Sequence, residues 1–301
     1  MSTLLAPEIG PAPARPNGVA ELVDAGVPRG GVLTTDLIDS TVRAPESLRP
    51  WISEAGHIPP VTAVSTPFTH VPHTATTIVL RTERSGHRNA LVLGPQTRAS
   101  YSVNEQPAGC LRLRLAPGAT RQLLGVPAVD LADKVFRLAD LPGVAADLVP
   151  ELFELAPAEA LAFLSAALPQ RISEDATQRA HRALLSSAVA SLAAATTPVH
   201  ALASDLAVSE RQLRNLFTTG VGVSPKHFAR IGRVRSVLAH AGNTPWAQIA
   251  SLAQVAAVSG YYDQSHMTAD FRSLMGTTPA SYFKGKLPAP TACRPTNRVA
   301  R

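Results

Sequence analysis

Phe217-Thr-Thr-Gly-Val-Gly222-Val-Ser224-Pro225-Lys-His-Phe228 and Phe271-Arg-Ser-Leu-Met-Gly276-Thr-Thr278-Pro279-Ala-Ser-Tyr282 are two versions of one pattern. In both, an aromatic residue is followed by glycine at +5, Ser or Thr at +7, proline at +8 and a second aromatic at +11, at an offset of 54 residues. Unrelated helices do not share so many fixed spacings by chance. The stretch 197–283 is therefore predicted to hold the same helical unit twice.

Each unit can be read outward from this pattern. Thr197-Pro198 is a cap with proline at the first helical position, and Val199, Leu202, Ala203 and Leu206 fall on one helical face. That helix stops near Ala207-Val208. Ser209 restarts one, with Gln212 completing a capping box. Leu213, Leu216 and Phe217 point inward there, leaving Arg211, Gln212, Arg214 and Asn215 outward. Two short helices joined by a tight turn, the second with a polar and basic outer face, describe a helix-turn-helix. Ser224-Pro225 opens a longer helix with Phe228, Ile231, Val234 and Leu238 inward and Lys226, Arg230, Arg233 and Arg235 as its cations. Ala241-Gly242-Asn243 breaks it and Thr244-Pro245 caps the next. The unit then recurs. Ile249, Ala253 and Ala256 line one helix, Gly260-Tyr261-Tyr262 turns, and Asp263 caps a helix that buries Met267, Phe271 and Leu274. Gln264, Ser265, Thr268 and Ala269 are left outward. Upstream of the turn the offset is 53 residues (Ala203 to Ala256), so the second turn holds one extra residue.

The charge follows the same division. Residues 198–301 carry 12 Lys/Arg against 4 Asp/Glu, whereas residues 1–197 carry 16 against 18. A basic C-terminal part beside a nearly neutral remainder suits a polyanion partner for that part alone, the alternative being a solvated basic face. Cys110 and Cys293 lie far apart with no ligand cluster, which fits a reducing compartment and argues against structural zinc. The proline-broken N-terminus lacks a signal-peptide pattern, and no uncharged apolar run is long enough to span a membrane. A soluble, cytoplasmic protein with no cofactor is expected.

The front of the chain reads differently. Residues 1–30 are rich in Pro, Ala and Gly, as a flexible leader would be. Residues 31–142 are expected to form a β-rich domain, with short runs at 61–66, 76–81 and 90–93 between turn residues. In Cys110-Leu-Arg-Leu-Arg-Leu115 the three leucines share one face and Arg112 and Arg114 the other. Several short strands suggest a small barrel or sandwich. Residues 143–196 form a helical connector whose apolar faces could pack on the barrel or on a second subunit. Residues 286–301 form a basic tail expected to be disordered.

Ala256-Ala-Val-Ser-Gly-Tyr-Tyr-Asp-Gln-Ser-His-Met267, with Phe271, Gly276, Thr278 and Pro279, resembles the signature of the AraC/XylS family of bacterial transcription regulators. Ser209, Leu213, Leu216, Phe217, Gly222, Ser224 and Pro225 match the first unit of that family. Gly94-Pro95, Leu115-Ala-Pro-Gly118 and Leu124-Gly-Val-Pro127 are similar to a branch with a β-rich sensor domain. The resemblance implies an α+β chain: a β-barrel, cupin-like sensor domain and helical connector, then an all-α seven-helix DNA-binding domain over 197–285. Its recognition helices, about 209–218 and 263–274, would enter successive major-groove segments about 34 Å apart. Arg211, Gln212, Arg214, Asn215, Gln264, Ser265 and Thr268 are the candidate base readers, and Lys226, Arg230, His266 and Arg272 the candidate phosphate contacts. Asn215 and Ala269 stand where the family often has arginine, so the first helix is expected to carry most of the discrimination.

Double-stranded DNA is the expected partner, with RNA polymerase, a small-molecule or protein effector and a second copy of the chain as further candidates. His70, His73, Arg112 and Arg114 are the candidate effector-pocket residues. A metal site among the histidines would need more converging ligands than the spacing offers. The rival readings are a cupin-type metalloenzyme and a DNA-repair methyltransferase, each fused to an AraC-like module. The second needs an activated cysteine, and neither Cys110 nor Cys293 has a visible activating neighbour.

Overall fold

The structure is a computed structural model that describes residues 33–34, 40–58, 68–83, 85–102, 110–194, 198–242 and 251–290. The run at 61–66, the caps at Thr197 and Thr244-Pro245, Ile249, the leader and Cys293 lie outside the described residues.

The front half is built on two sheets. β2 (Ser40–Arg43), β3 (Ile52–Ile58), β5 (Thr77–Thr82), β6 (Arg88–Leu93), β8 (Cys110–Leu115) and β9 (Val135–Arg137) form a six-stranded antiparallel sheet in the order β2-β3-β8-β5-β6-β9. β1 (Leu33–Thr34), β4 (Phe68–His70) and β7 (Ser100–Ser102) form a smaller sheet, with β1 parallel to β4 and β7 antiparallel to it. Strand β8 anchors the large sheet as its alternation predicts. Leu113 lies opposite Ala55 on one side and Ile78 on the other, and all three are buried. Such cross-strand apolar pairs are the unit of sheet stability.

The sheet does not close into the expected barrel. Among the described residues β2 and β9 end as opposite edges, unpaired with each other. The apolar face is covered by helices instead of by returning strands. These are α1 (Thr120–Leu124), α2 (Ala128–Leu131), α3 (Val149–Glu154) and α4 (Pro157–Arg171). They send Leu123, Leu131, Leu152 and Leu164 into one core with Leu113, Ile78 and Val92. Part of the predicted connector thus packs on the sheet within the same chain.

Seven described helices make up the rest: α5 (Ala176–Ala193), α6 (Val199–Asp205), α7 (Glu210–Gly220), α8 (Pro225–Gly242), α9 (Leu252–Val258), α10 (Gln264–Met275) and α11 (Pro279–Phe283). Leu185, Ala188 and Leu192 of α5 share a core with Leu202, Leu213 and Phe217. A second core gathers Ile231, Val234 and Val237 of α8 with Met267, Phe271 and Tyr282. Among the described residues no helix is long and apolar enough to cross a membrane.

The 54-residue offset is visible atom by atom. Phe217 and Phe271 are both fully buried, and each meets the aromatic residue eleven positions on in an edge-to-face contact. The centroid separations are 5.6 Å for Phe217–Phe228 and 5.7 Å for Phe271–Tyr282. Gly222 and Gly276 both take left-handed backbone, with φ of 90° and 69°. Ser224 and Thr278 each accept a main-chain N–H three residues on.

Candidate nucleic-acid interface

The turns within the two helix pairs are built alike. Ala207 and Gly260, 53 residues apart, are both left-handed, with φ of 53° and 75°. The next residue donates back across each turn, Val208 N–H to the Ala203 carbonyl and Tyr261 N–H to the Ala256 carbonyl, both at 3.0 Å. Ala207 N–H donates to Ser204 and Gly260 N–H to Ala257. This double bond pattern around a left-handed residue is the Schellman ending of a helix. The second helix of each pair then starts on a side-chain cap. The Ser209 hydroxyl accepts from Gln212 N–H at 3.1 Å, and the Asp263 carboxylate from His266 N–H at 2.7 Å. The first helix of the first pair starts one residue later than expected, with Pro198 itself in the extended cap position. Ser251 caps α9 through Ala253 N–H.

With α7 and α10 so anchored, their polar residues fall outward. Arg211, Gln212, Arg214 and Asn215 of α7 are exposed, over buried Leu213 and Phe217. On α10 Gln264, Ser265, His266, Ala269 and Arg272 are exposed and Thr268 is half-buried, above Met267, Phe271 and Leu274. Lys226 is exposed at the start of α8. His266 also packs edge-on against Tyr261, with ring centroids 5.4 Å apart.

One carboxylate organises the joint between α8 and α10. Asp270 is buried on the inner face of α10 and accepts from Arg230 Nε at 2.8 Å and from an Arg233 terminal nitrogen at 3.2 Å. Arg233 also lies over the Tyr261 ring, 5.0 Å from its centroid. Burial, with the Asp270 charge second, pushes the Tyr261 hydroxyl up to about 12. Arg230, expected at phosphate, is thus half-buried and bound to a helix of its own chain. Asp270 was missed in the sequence, although its position between Met267 and Phe271 puts it on the inner stripe. Tyr262, read as a turn residue, is 96% exposed directly before the α10 cap.

The four candidate pocket residues of the front half lie on or beside strands of the two sheets. Arg114 pairs with Glu54, its opposite number on β3, at 2.6 Å. Together they line a cleft of about 290 Å³ that also touches Thr120, Val189 of α5, Val221 and Phe228. Arg112, on the same face of β8 as Arg114, is buried and not solvent-facing. His70 stacks edge-on against Phe68, and His73 is tied to Gln96 by two main-chain hydrogen bonds. Among the described residues no group of three or more His, Cys, Asp or Glu is placed to hold a metal ion.

Residues 202–285 match the family model described as a helix-turn-helix domain. This segment of the chain is thus similar to a helix-turn-helix domain. Among solved structures, a DNA-binding transcriptional dual regulator from Escherichia coli K-12 is 19% identical. The alignment covers 32% of this chain and 95% of that one, with a TM-score of 0.27. ToxT from Vibrio cholerae is 12% identical over 77% of this chain and 97% of its own, with a TM-score of 0.37. ToxT of strain SCE256, solved with an unsaturated fatty acid bound, is 12% identical over 81% and 92%, with a TM-score of 0.29. The comparison with curated proteins finds no match.

Proposed function

We propose that the protein is a sequence-specific transcription regulator that sets α7 and α10 into successive major-groove segments of one DNA duplex. The observation that carries this reading is the repeated construction of the two helix pairs. The same Schellman turn and a side-chain cap precede a helix whose outer face holds Arg and Gln or Gln and Ser. Arginine suits guanine and glutamine suits adenine in the major groove. Arg211, Gln212, Arg214 and Asn215 read bases from α7; Gln264, Ser265 and Thr268 read them from α10. Lys226, His266 and Arg272 take phosphates, as do the donors of Arg230 not directed at Asp270.

Residues 31–142 act as the sensor and 143–196 as the connector. The cleft beside Arg114 and Glu54, between the large sheet and the first helix pair, is where a small effector would reach both parts. Dimerisation, contact with RNA polymerase and a cytoplasmic location belong to the same reading. Binding of Arg211→Ala and Gln264→Ala chains to a randomised duplex tests the reader assignment. Arg211→Ala should relax sequence preference more, and the reverse order would overturn the ranking of the two helices.

A further inference from the structure

Seven residues of the front half, 95–101, run from β6 to β7 across both helix pairs. At one end Pro95 lies on the glycine that closes the first pair. A Cβ on Gly222 would come 2.8 Å from Pro95 Cγ and 2.8 Å from the Ala128 carbonyl oxygen. In the middle the main chain of Thr97 lies beside the His227 ring of α8. At the far end Ala99 N–H donates to the Leu274 carbonyl at 2.8 Å, and the buried Tyr101 hydroxyl donates to the Met275 carbonyl. The last carbonyls of a helix have no partner within the helix, so these two bonds cap α10 from another part of the chain. The end of α7 is treated likewise: Gly118 N–H donates to the Gly220 carbonyl at 3.0 Å.

The segment is itself held to the sheets. Gln96 exchanges two main-chain bonds with His73. Asp133 receives the Thr97 N–H at 2.7 Å and the Thr97 hydroxyl at 2.6 Å, and its own N–H donates to the Pro95 carbonyl.

We propose that 95–101 is a strap through which the front half fixes the separation of α7 and α10, and hence the spacing of half-sites the protein accepts. The proposal rests on reading α7 and α10 as the DNA-reading helices. Movement of the strap is then the route by which an event in the sheets regulates DNA binding, because it is bound to both pairs and to the sheet domain at once.

The test uses the full chain carrying Asp133→Gly and Tyr101→Phe. Glycine keeps the left-handed backbone that Asp133 adopts (φ 57°) while deleting both bonds to Thr97. Phenylalanine keeps the buried ring and deletes the bond to Met275. Spin labels at Asn215→Cys and Ala269→Cys, exposed and 54 residues apart, report the helix separation without DNA once Cys110 and Cys293 are replaced by serine. The parent should give one narrow distance distribution and the double variant one at least about twice as wide. In unlabelled chains, preference for half-sites one helical turn apart over sites shifted by two base pairs should fall about tenfold, as expected for a few lost hydrogen bonds. A broad parent distribution, or a double variant that melts cooperatively and stays narrow, overturns the strap. Should the double variant not fold, Tyr101→Phe alone is read by the same criterion. Because distances are measured without DNA, absence of selective DNA binding would count against the proposed function, while the width of the distribution alone decides for or against the strap.

Discussion

Ala207 and Gly260 hold the same place in the two turns, and only one of them suits it. A left-handed alanine crowds its Cβ against the main chain, at a cost of about 1–2 kcal/mol that glycine avoids. Ala207→Gly should therefore raise stability by about 1 kcal/mol, seen as a higher melting temperature. Gly260→Ala should lower it by a similar amount. Among the described residues, and apart from the adjoining ones, the added methyl would meet only Arg233 Cδ, at 3.7 Å, so the loss would be backbone strain. Asp270→Ala removes the shared acceptor of Arg230 and Arg233. Fully buried pairs cost about 3–5 kcal/mol to break this way; these guanidiniums are about a quarter exposed, so about 2 kcal/mol is expected from denaturant unfolding. His227 titrates below its ordinary 6.5, because burial and then Arg230 oppose its charge. The folded state thus holds a neutral imidazole. Its contribution is complete above pH about 6.5 and is lost as pH falls through the lowered value. Unfolding followed against pH should show stability dropping on acidification, and His227→Gln should flatten that drop.

At the scale of elements, apolar spacing was sufficient for α7 and α10. Leu213, Phe217, Met267 and Phe271 repeat at helical intervals, and Ser209 and Asp263 mark the starts. The inward position of Asp270 was legible but its partners were not, since its cations come from a helix 40 and 37 residues away in sequence and spacing does not show which helices meet. Strand β8 shows a related limit. Alternation places Leu111, Leu113 and Leu115 on one face, but it does not say whether the other face is also covered; Arg112 proves buried. For the interface, Lys226→Ala should weaken binding about equally at all sequences and reduce the slope of log affinity against log salt by about one. A loss confined to particular sequences would instead make Lys226 a base reader.

For the whole molecule, the division into a β-rich front and a helical back was visible in composition and charge, whereas closure of the barrel was not. Short strands suit a barrel or an open sheet equally. The choice fell to α1–α4, whose leucines cover the apolar face that strands would otherwise have closed upon. The strap was equally hidden, because capping of one half by the other leaves no periodic trace. What the repeat does predict is a two-part operator. The most direct measurement is selection of bound duplexes from a randomised library by the full chain, followed by sequencing. The account predicts two preferred blocks centred about 10–10.5 base pairs apart, with the sharper preference in the block read by α7. A single block, or recovery of duplexes with no preferred sequence, would contradict it.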